Sequence, residues 1–356
     1  MLIIHDNFLS LIRLGIGHGA NPLQDNIDWQ AIKDLASRHG LTAVFIDGIE
    51  CMPENTRPPR IIILDWIGEV LHSYEYRYIS YKRTIAELAS FYNAHSIKMM
   101  VIKGYACSIN WPKPEHRPCG DIDIWLFGQQ KYADDIVNKE KGISIDKAHQ
   151  HHTVFKWGDF EIENHFDFVN VNVHKSSAEL EVIFKDLGMD DSFWVDVNGE
   201  IVYLPSPNLH ALFLLRHMLS HFAAAEISFR QLLDWAFFVK KSSKQIDWNW
   251  LQSVLEKYHM MEFFNYINAI CIEDLGFLSD IFPKVQFNPL IKEKVLNDML
   301  SPKYGAEDPN HFIQRMMYKY KRWQGNAWKQ KLCYNESRWC TFWKGLWNHL
   351  THPAMI

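Results

Sequence analysis

Apolar residues recur at helical spacing through the first quarter of the chain. Phe8, Leu9, Leu11, Ile12 and Leu14 form a stripe that Gly15, Gly17 and Gly19 close. Asp28 is placed to cap a helix through Arg38, with Trp29, Ile32, Leu35 and Ala36 on one face and Gly40 at its end. Pro58-Pro59 interrupts the pattern, which resumes from Ile61 to about Tyr78. Ser80 to Asn93 then sets Ile85, Leu88, Ala89 and Tyr92 at helical spacing. After that the period changes. Ile97 to Ile102 reads as a strand ending in Lys103-Gly104, and a Trp111-Pro112-Lys113-Pro114 loop leads to the alternation Asp121-Ile122-Asp123-Ile124. Lys131 to Lys139 suggests a short helix. His151 to Trp157, a Gly158-Asp159 turn and Phe160 to Phe168 read as a hairpin. Ile201 to Leu204 is a further short strand. Helices return at Ser206-Pro207, where a capping residue precedes a proline. A helix with Arg230 and Asp234 follows, Asp247 caps another, and Gly276 ends the one after it.

This order of elements predicts an α+β fold, a small mixed sheet with helices, flanked by helical regions at both ends. Four parts are expected: a helical region over 1–95, an α/β core over 96–205, a helical domain over 206–310 and a tail over 311–356. The chain of 356 residues is long enough to bury a substantial core, and 47% apolar with 22% charged residues is ordinary for a globular protein. No run of about 18 apolar residues occurs, so no membrane span is expected. The first residues lack a basic region and a small-residue cleavage site, so no secretory signal is expected. The six cysteines form no C-x-x-C pair, which fits reduced thiols and a cytoplasmic location. A net charge of −5 supplies no field that draws in nucleic acid. The tail departs from this balance. From His311 onward eight Lys and Arg accompany one acid, Glu336. There Trp339, Phe342, Trp343, Leu346, Trp347 and Leu350 share one helical face. Such a stripe serves as core or as a dock for another part of the chain; the alternative is a peripheral contact with the inner face of a membrane or with a protein.

The candidate chemistry lies in the alternating segment. Asp121 and Asp123 project to one side of their strand and Ile122 and Ile124 to the other. Paired carboxylates raise each other's pKa unless a cation sits between them, and Mg²⁺ is the ordinary cation for hard oxygen ligands beside phosphate. On the second arm of the hairpin Glu161, Glu163 and His165 share a face, so either glutamate can supply a third carboxylate. His149, His151 and His152 lie close in sequence, but with no Cys or carboxylate at ligand spacing they are read as ordinary strand residues. His217 and His221 form H-x-x-x-H, yet position 218 is Met rather than the Glu of a zinc peptidase, so zinc is not expected.

The set Lys103-Gly104, Arg117, Gly120-Asp121-Ile122-Asp123 and Glu163-Asn164-His165 resembles the uncharacterised nucleotidyltransferase family of the polymerase-β-like superfamily. Gly104-Tyr105 stands where the superfamily more often has Gly-Ser. The resemblance implies that Asp121, Asp123 and Glu163 are catalytic and hold Mg²⁺ or Mn²⁺. Glu161 is the fallback third acid. Lys103, Gly104, Arg117 and Gly120 would meet the triphosphate. Arg230 would meet phosphate oxygens with Asp234 orienting it, and the 206–310 domain would close the cleft. The implied activity moves an NMP from an NTP to a hydroxyl acceptor and releases pyrophosphate. The acceptor would be a small molecule or a saccharide before RNA or protein. The alternative is a non-catalytic binding or scaffold module of the same fold, serving a polysaccharide assembly at a membrane surface.

Overall fold

The structure is a computed structural model that describes residues 2–19, 23, 27–304 and 311–351, the side chains of 312, 313 and 345–351 excepted. The described chain divides into two compact units. One contains residues 77–109 and 119–214 with the chain from Glu336 onward, and carries the sheet. The other contains the chain up to Tyr76 with residues 110–118 and 215–335, and is helical. The fold is α+β.

Six strands form one mixed sheet: β1 Met100–Val101, β2 Ile122–Trp125, β3 His152–Trp157, β4 Phe160–His165, β5 Trp194–Val197 and β6 Glu200–Tyr203, in the order β3-β4-β2-β1-β6-β5. β2 runs parallel to β4 and β1 parallel to β6, while the β1–β2, β3–β4 and β5–β6 pairs are antiparallel. Alternation sorts the side chains. Ile122, Ile124, Phe155, Phe160 and Ile162 enter a core with Tyr81, Ile85, Leu88 and Tyr92 of the helix Arg77–Ala94 and with Ala133 and Val137 of the helix Gln130–Lys141. Asp123, Glu163 and His165 are left to the opposite face.

Turn chemistry explains both hairpins. Gly158 takes φ +58°, which the first position of a two-residue II′ turn demands, and brings Trp157 opposite Phe160. Asn198 and Gly199 both have positive φ (+53° and +91°), the I′ pattern, and close β5 onto β6. The strand expected over Ile97 to Ile102 pairs only at Met100 and Val101. Ser96 with φ +59° turns the chain into it and Gly104 with φ +52° turns it away. The helices expected over Ile61 to Tyr78 and Ser80 to Asn93 are one helical run: Arg60–Val70, a π-helical stretch Leu71–Tyr76, then Arg77–Ala94.

In the helical unit, Ile3–Gly15 and Thr42–Glu50 approach so closely that a Cβ on Gly15 would stand 2.0 Å from the Val44 carbonyl oxygen. Asp28 and Asp247 accept hydrogen bonds from the Ala31 and Trp250 amides, each at 3.0 Å, and cap their helices. No helix among the described residues is long and apolar enough to cross a membrane. None of the six cysteines, all of them among the described residues, forms a disulfide, and four of them are buried. In the tail helix Arg338–Thr351, Trp339 and Trp343 are 57% and 60% exposed. The expected stripe residues Leu346, Trp347 and Leu350 have side chains outside the described set.

Candidate active site

The acid face of the sheet is built by two parallel neighbours. β2 and β4 pair Asp123 with Glu163 and Trp125 with His165, so residues distant in sequence stand side by side. Asp121 lies immediately before β2, where alternation continues the same face, and its side chain is exposed. Asp123 is buried. Its Oδ1 lies 2.6 Å from Lys103 Nζ and 3.2 Å from His165 Nε2. His165 also approaches Glu163 Oε2, at 3.5 Å, and its Nδ1 faces the Asp167 carbonyl at 3.2 Å.

The charges follow from this packing. Burial alone would push Asp123 up, but Lys103 and His165 outweigh it and hold the carboxyl far below its ordinary range. Burial opposes protonation of His165, and the bonds to Asp123 and Glu163 overcome that, so its pKa rises. Asp121 goes the other way. Partial burial, then the carboxylates of Glu163, Asp123 and Glu161, push it up, and Lys103 offsets only part of this. Asp121 and Asp123 therefore lie in one cluster of acids, in which Lys103 and His165 together serve the most buried of them. Glu161 is exposed and pairs across the hairpin with Lys156.

The helix Arg77–Ala94 fixes the start of β2. Arg77 Nε donates to the Cys119 carbonyl at 2.9 Å and stacks its guanidinium 4.6 Å from the Phe160 ring centre. Tyr81 donates its hydroxyl to the Asp121 carbonyl at 3.0 Å. Gly104, with φ +52°, makes room for this, since a Cβ there would fall 2.1 Å from the Tyr81 hydroxyl oxygen. Gly120 faces open space.

Arg117, Arg230 and Asp234 belong to the helical unit. Arg117 donates through Nε to Asp234 Oδ1 at 2.7 Å and through Nη2 to Oδ2 at 2.9 Å, a bidentate pair. Trp111 Nε1 adds a third bond to Oδ1 at 2.8 Å. Both members are buried, Arg117 at 7% and Asp234 at 4% exposure. Arg117, expected at the triphosphate, is thus bound to a protein carboxylate, and Asp234, expected to orient Arg230, holds Arg117. Arg230 lies beside Gly40, where a Cβ would come 3.4 Å from its Cδ.

A family model described as uncharacterised nucleotidyltransferase matches residues 25–275. The chain belongs to that family. It is also similar to the crystal structure of an antigenic nucleotidyltransferase-like protein from Paracoccidioides brasiliensis, at 14% identity and a TM-score of 0.36, over 56% of this chain and 95% of that one. Comparison with curated proteins gives no match.

Nucleotidyltransferases typically use divalent metal ions, and the donors of this member fit one. Asp123, Glu163 and His165 each offer a ligand atom, all within 4.8 Å of one another, and Asp121 adds a carboxylate whose raised pKa a cation would relieve. His151, His152 and His165 make a second convergent group. Spacing along the chain does not show this group, because His165 is contributed by the other arm of the hairpin. It does not show Tyr81 either, which no local motif marks.

The Gly104 junction yields a test. Gly104→Ala forces a Cβ into the Tyr81 hydroxyl and adds backbone strain at positive φ, so a loss of about 1–3 kcal/mol of stability is expected in chemical denaturation. Adding Tyr81→Phe to that variant should recover part of the loss; no recovery would show that the collision is not the cause.

Proposed function

We propose that this family member is a divalent-metal-dependent nucleotidyltransferase that moves an NMP from an NTP, such as ATP, to a hydroxyl acceptor. The observation that carries the reading is the side-by-side placement of Asp123 and Glu163 on parallel neighbouring strands, with Asp121 next to them and Lys103 on Asp123. Asp121, Asp123 and Glu163 would hold the metal, Mg²⁺ or Mn²⁺. When bound, it supplies charge neutralisation at the phosphates and acidifies the acceptor hydroxyl.

The protein's own groups do the rest. Lys103 holds its ammonium 2.6 Å from Asp123, where it would also neutralise charge on a phosphate bound beside the acids. Lys103 and His165 keep Asp123 ionised. The acceptor oxygen bonds to the α-phosphorus as the bond from that phosphorus to the bridging oxygen breaks, and pyrophosphate departs with the bonding pair. Glu163, half-buried beside Asp123, is placed to take the hydroxyl proton. A net charge of −5 favours a small or saccharide acceptor over a polyanion.

Isothermal titration of ATP, GTP, CTP and UTP into the full chain, with Mg²⁺ and with Mn²⁺, tests this. At least one NTP should bind only when metal is present. Absence of binding by all four under both metals overturns the reading.

A further inference from the structure

The hairpin assembles a second set of donors that shares His165 with the acid group. His151 precedes β3, His152 opens it and His165 closes β4, and the ladder sets His152 directly opposite His165. The ring centres are 4.5 Å apart for His151 and His152, 5.1 Å for His152 and His165 and 5.4 Å for His151 and His165. One ring nitrogen from each lies within 4.8 Å of the other two.

These rings are held in place. The Phe166 and Asp167 amides both donate to the His151 carbonyl at 3.1 Å, tying the two arms together. The Asp167 carbonyl accepts from His165 Nδ1, which fixes that ring and leaves Nε2, 3.2 Å from Asp123 Oδ1, as its nitrogen for a metal. Against this order stands an omission: Nδ1 of His151 and Nδ1 of His152 are buried and have no hydrogen-bond partner. His152 is only 8% exposed, and the nearest acid oxygen, Glu163 Oε2, is 3.9 Å from its Nδ1, beyond hydrogen-bond reach. Buried polar atoms in folded proteins are almost always bonded, so two orphaned imidazole nitrogens in one cluster point to a missing partner.

We propose that His151, His152 and His165 bind a borderline transition-metal ion of the Zn²⁺ class, with water completing its coordination. Three imidazoles and a water form a four-donor set of the kind tetrahedral Zn²⁺ takes, whereas Mg²⁺ demands six hard oxygen ligands. His149 stacks on His152 at 4.7 Å, faces Asp146 at 3.4 Å, and flanks the site. The assignment needs no nucleotide, so its test stands apart from the transfer reaction although the two donor groups share His165.

The test uses the full-length chain stripped of metal with a chelator and titrated with Co²⁺, whose visible absorption distinguishes tetrahedral from octahedral coordination, followed by displacement with Zn²⁺. A tetrahedral spectrum saturating near one equivalent, displaced by Zn²⁺ and not by excess Mg²⁺, is expected. His151→Gln/His152→Gln should weaken binding about a hundredfold or more, and Asp121→Asn should bind as the parent does. An octahedral spectrum, no spectrum, or equal affinity in the double glutamine variant overturns the site. Should that variant fail to fold by circular dichroism, imidazole ¹⁵N resonances of the unaltered chain decide. Three histidines shifting together on addition of Zn²⁺ supports the site, and no shift rejects it.

Discussion

Asp123→Asn is expected to lower nucleotidyl transfer by on the order of a thousandfold or more while leaving a folded protein. Asparagine keeps the size of the side chain and one oxygen that can accept from Lys103 or His165, so the packing around β2 has little reason to change. What it removes is the charge. Asp123 is the acid held most firmly ionised, by Lys103 at 2.6 Å and His165 at 3.2 Å, and the one buried deepest among the three. A neutral amide there would neither bind a divalent ion nor balance Lys103. Release of pyrophosphate from an α-labelled NTP, followed beside thermal unfolding, gives both quantities. If transfer stays within tenfold of the parent, the acid face is not the seat of the reaction.

The second large effect is structural. Asp234→Ala should destabilise the protein by about 3–5 kcal/mol in urea unfolding, because it leaves a buried guanidinium without its counter-charge. It also strips Trp111 Nε1 of its acceptor. Asp234→Asn should cost clearly less, since the amide oxygen can still receive Trp111 and one nitrogen of Arg117. Equal losses for the two variants would mean that the volume of the side chain matters there and its oxygens do not.

Local chemistry made much of this legible. Alternation gave the acid face of β2 and β4, the Gly158-Asp159 turn gave the hairpin, and Asp28 and Asp247 announced their helices. Two further signals were present but weaker than their context. Asn198-Gly199 marks an I′ turn, yet Trp194-Val195-Asp196-Val197 is a half-exposed edge strand with little hydrophobic contrast to announce it. Counting outward from the hairpin turn pairs His152 with His165, but spacing along the chain places His165 far from the other two. The Arg117–Asp234 pair was not readable by any such route. Arg117 falls within the stretch 110–118, which joins the helical unit even though the chain on both sides of it belongs to the sheet. No sequence period records that exchange, and an arginine close to two acids invites a role at a phosphate.

The pairing of Ile122 with Ile162 and of Asp123 with Glu163 carries one more consequence. Separation of the two acids is inherited from main-chain hydrogen bonding, about 4.8 Å from strand to strand, and owes little to what fills the interior beneath them. Truncating Ile122 or Ile162 should therefore make the protein melt sooner without spreading the charges apart. Heat tolerance and the spacing of the acid pair are thus set by separate layers of the sheet.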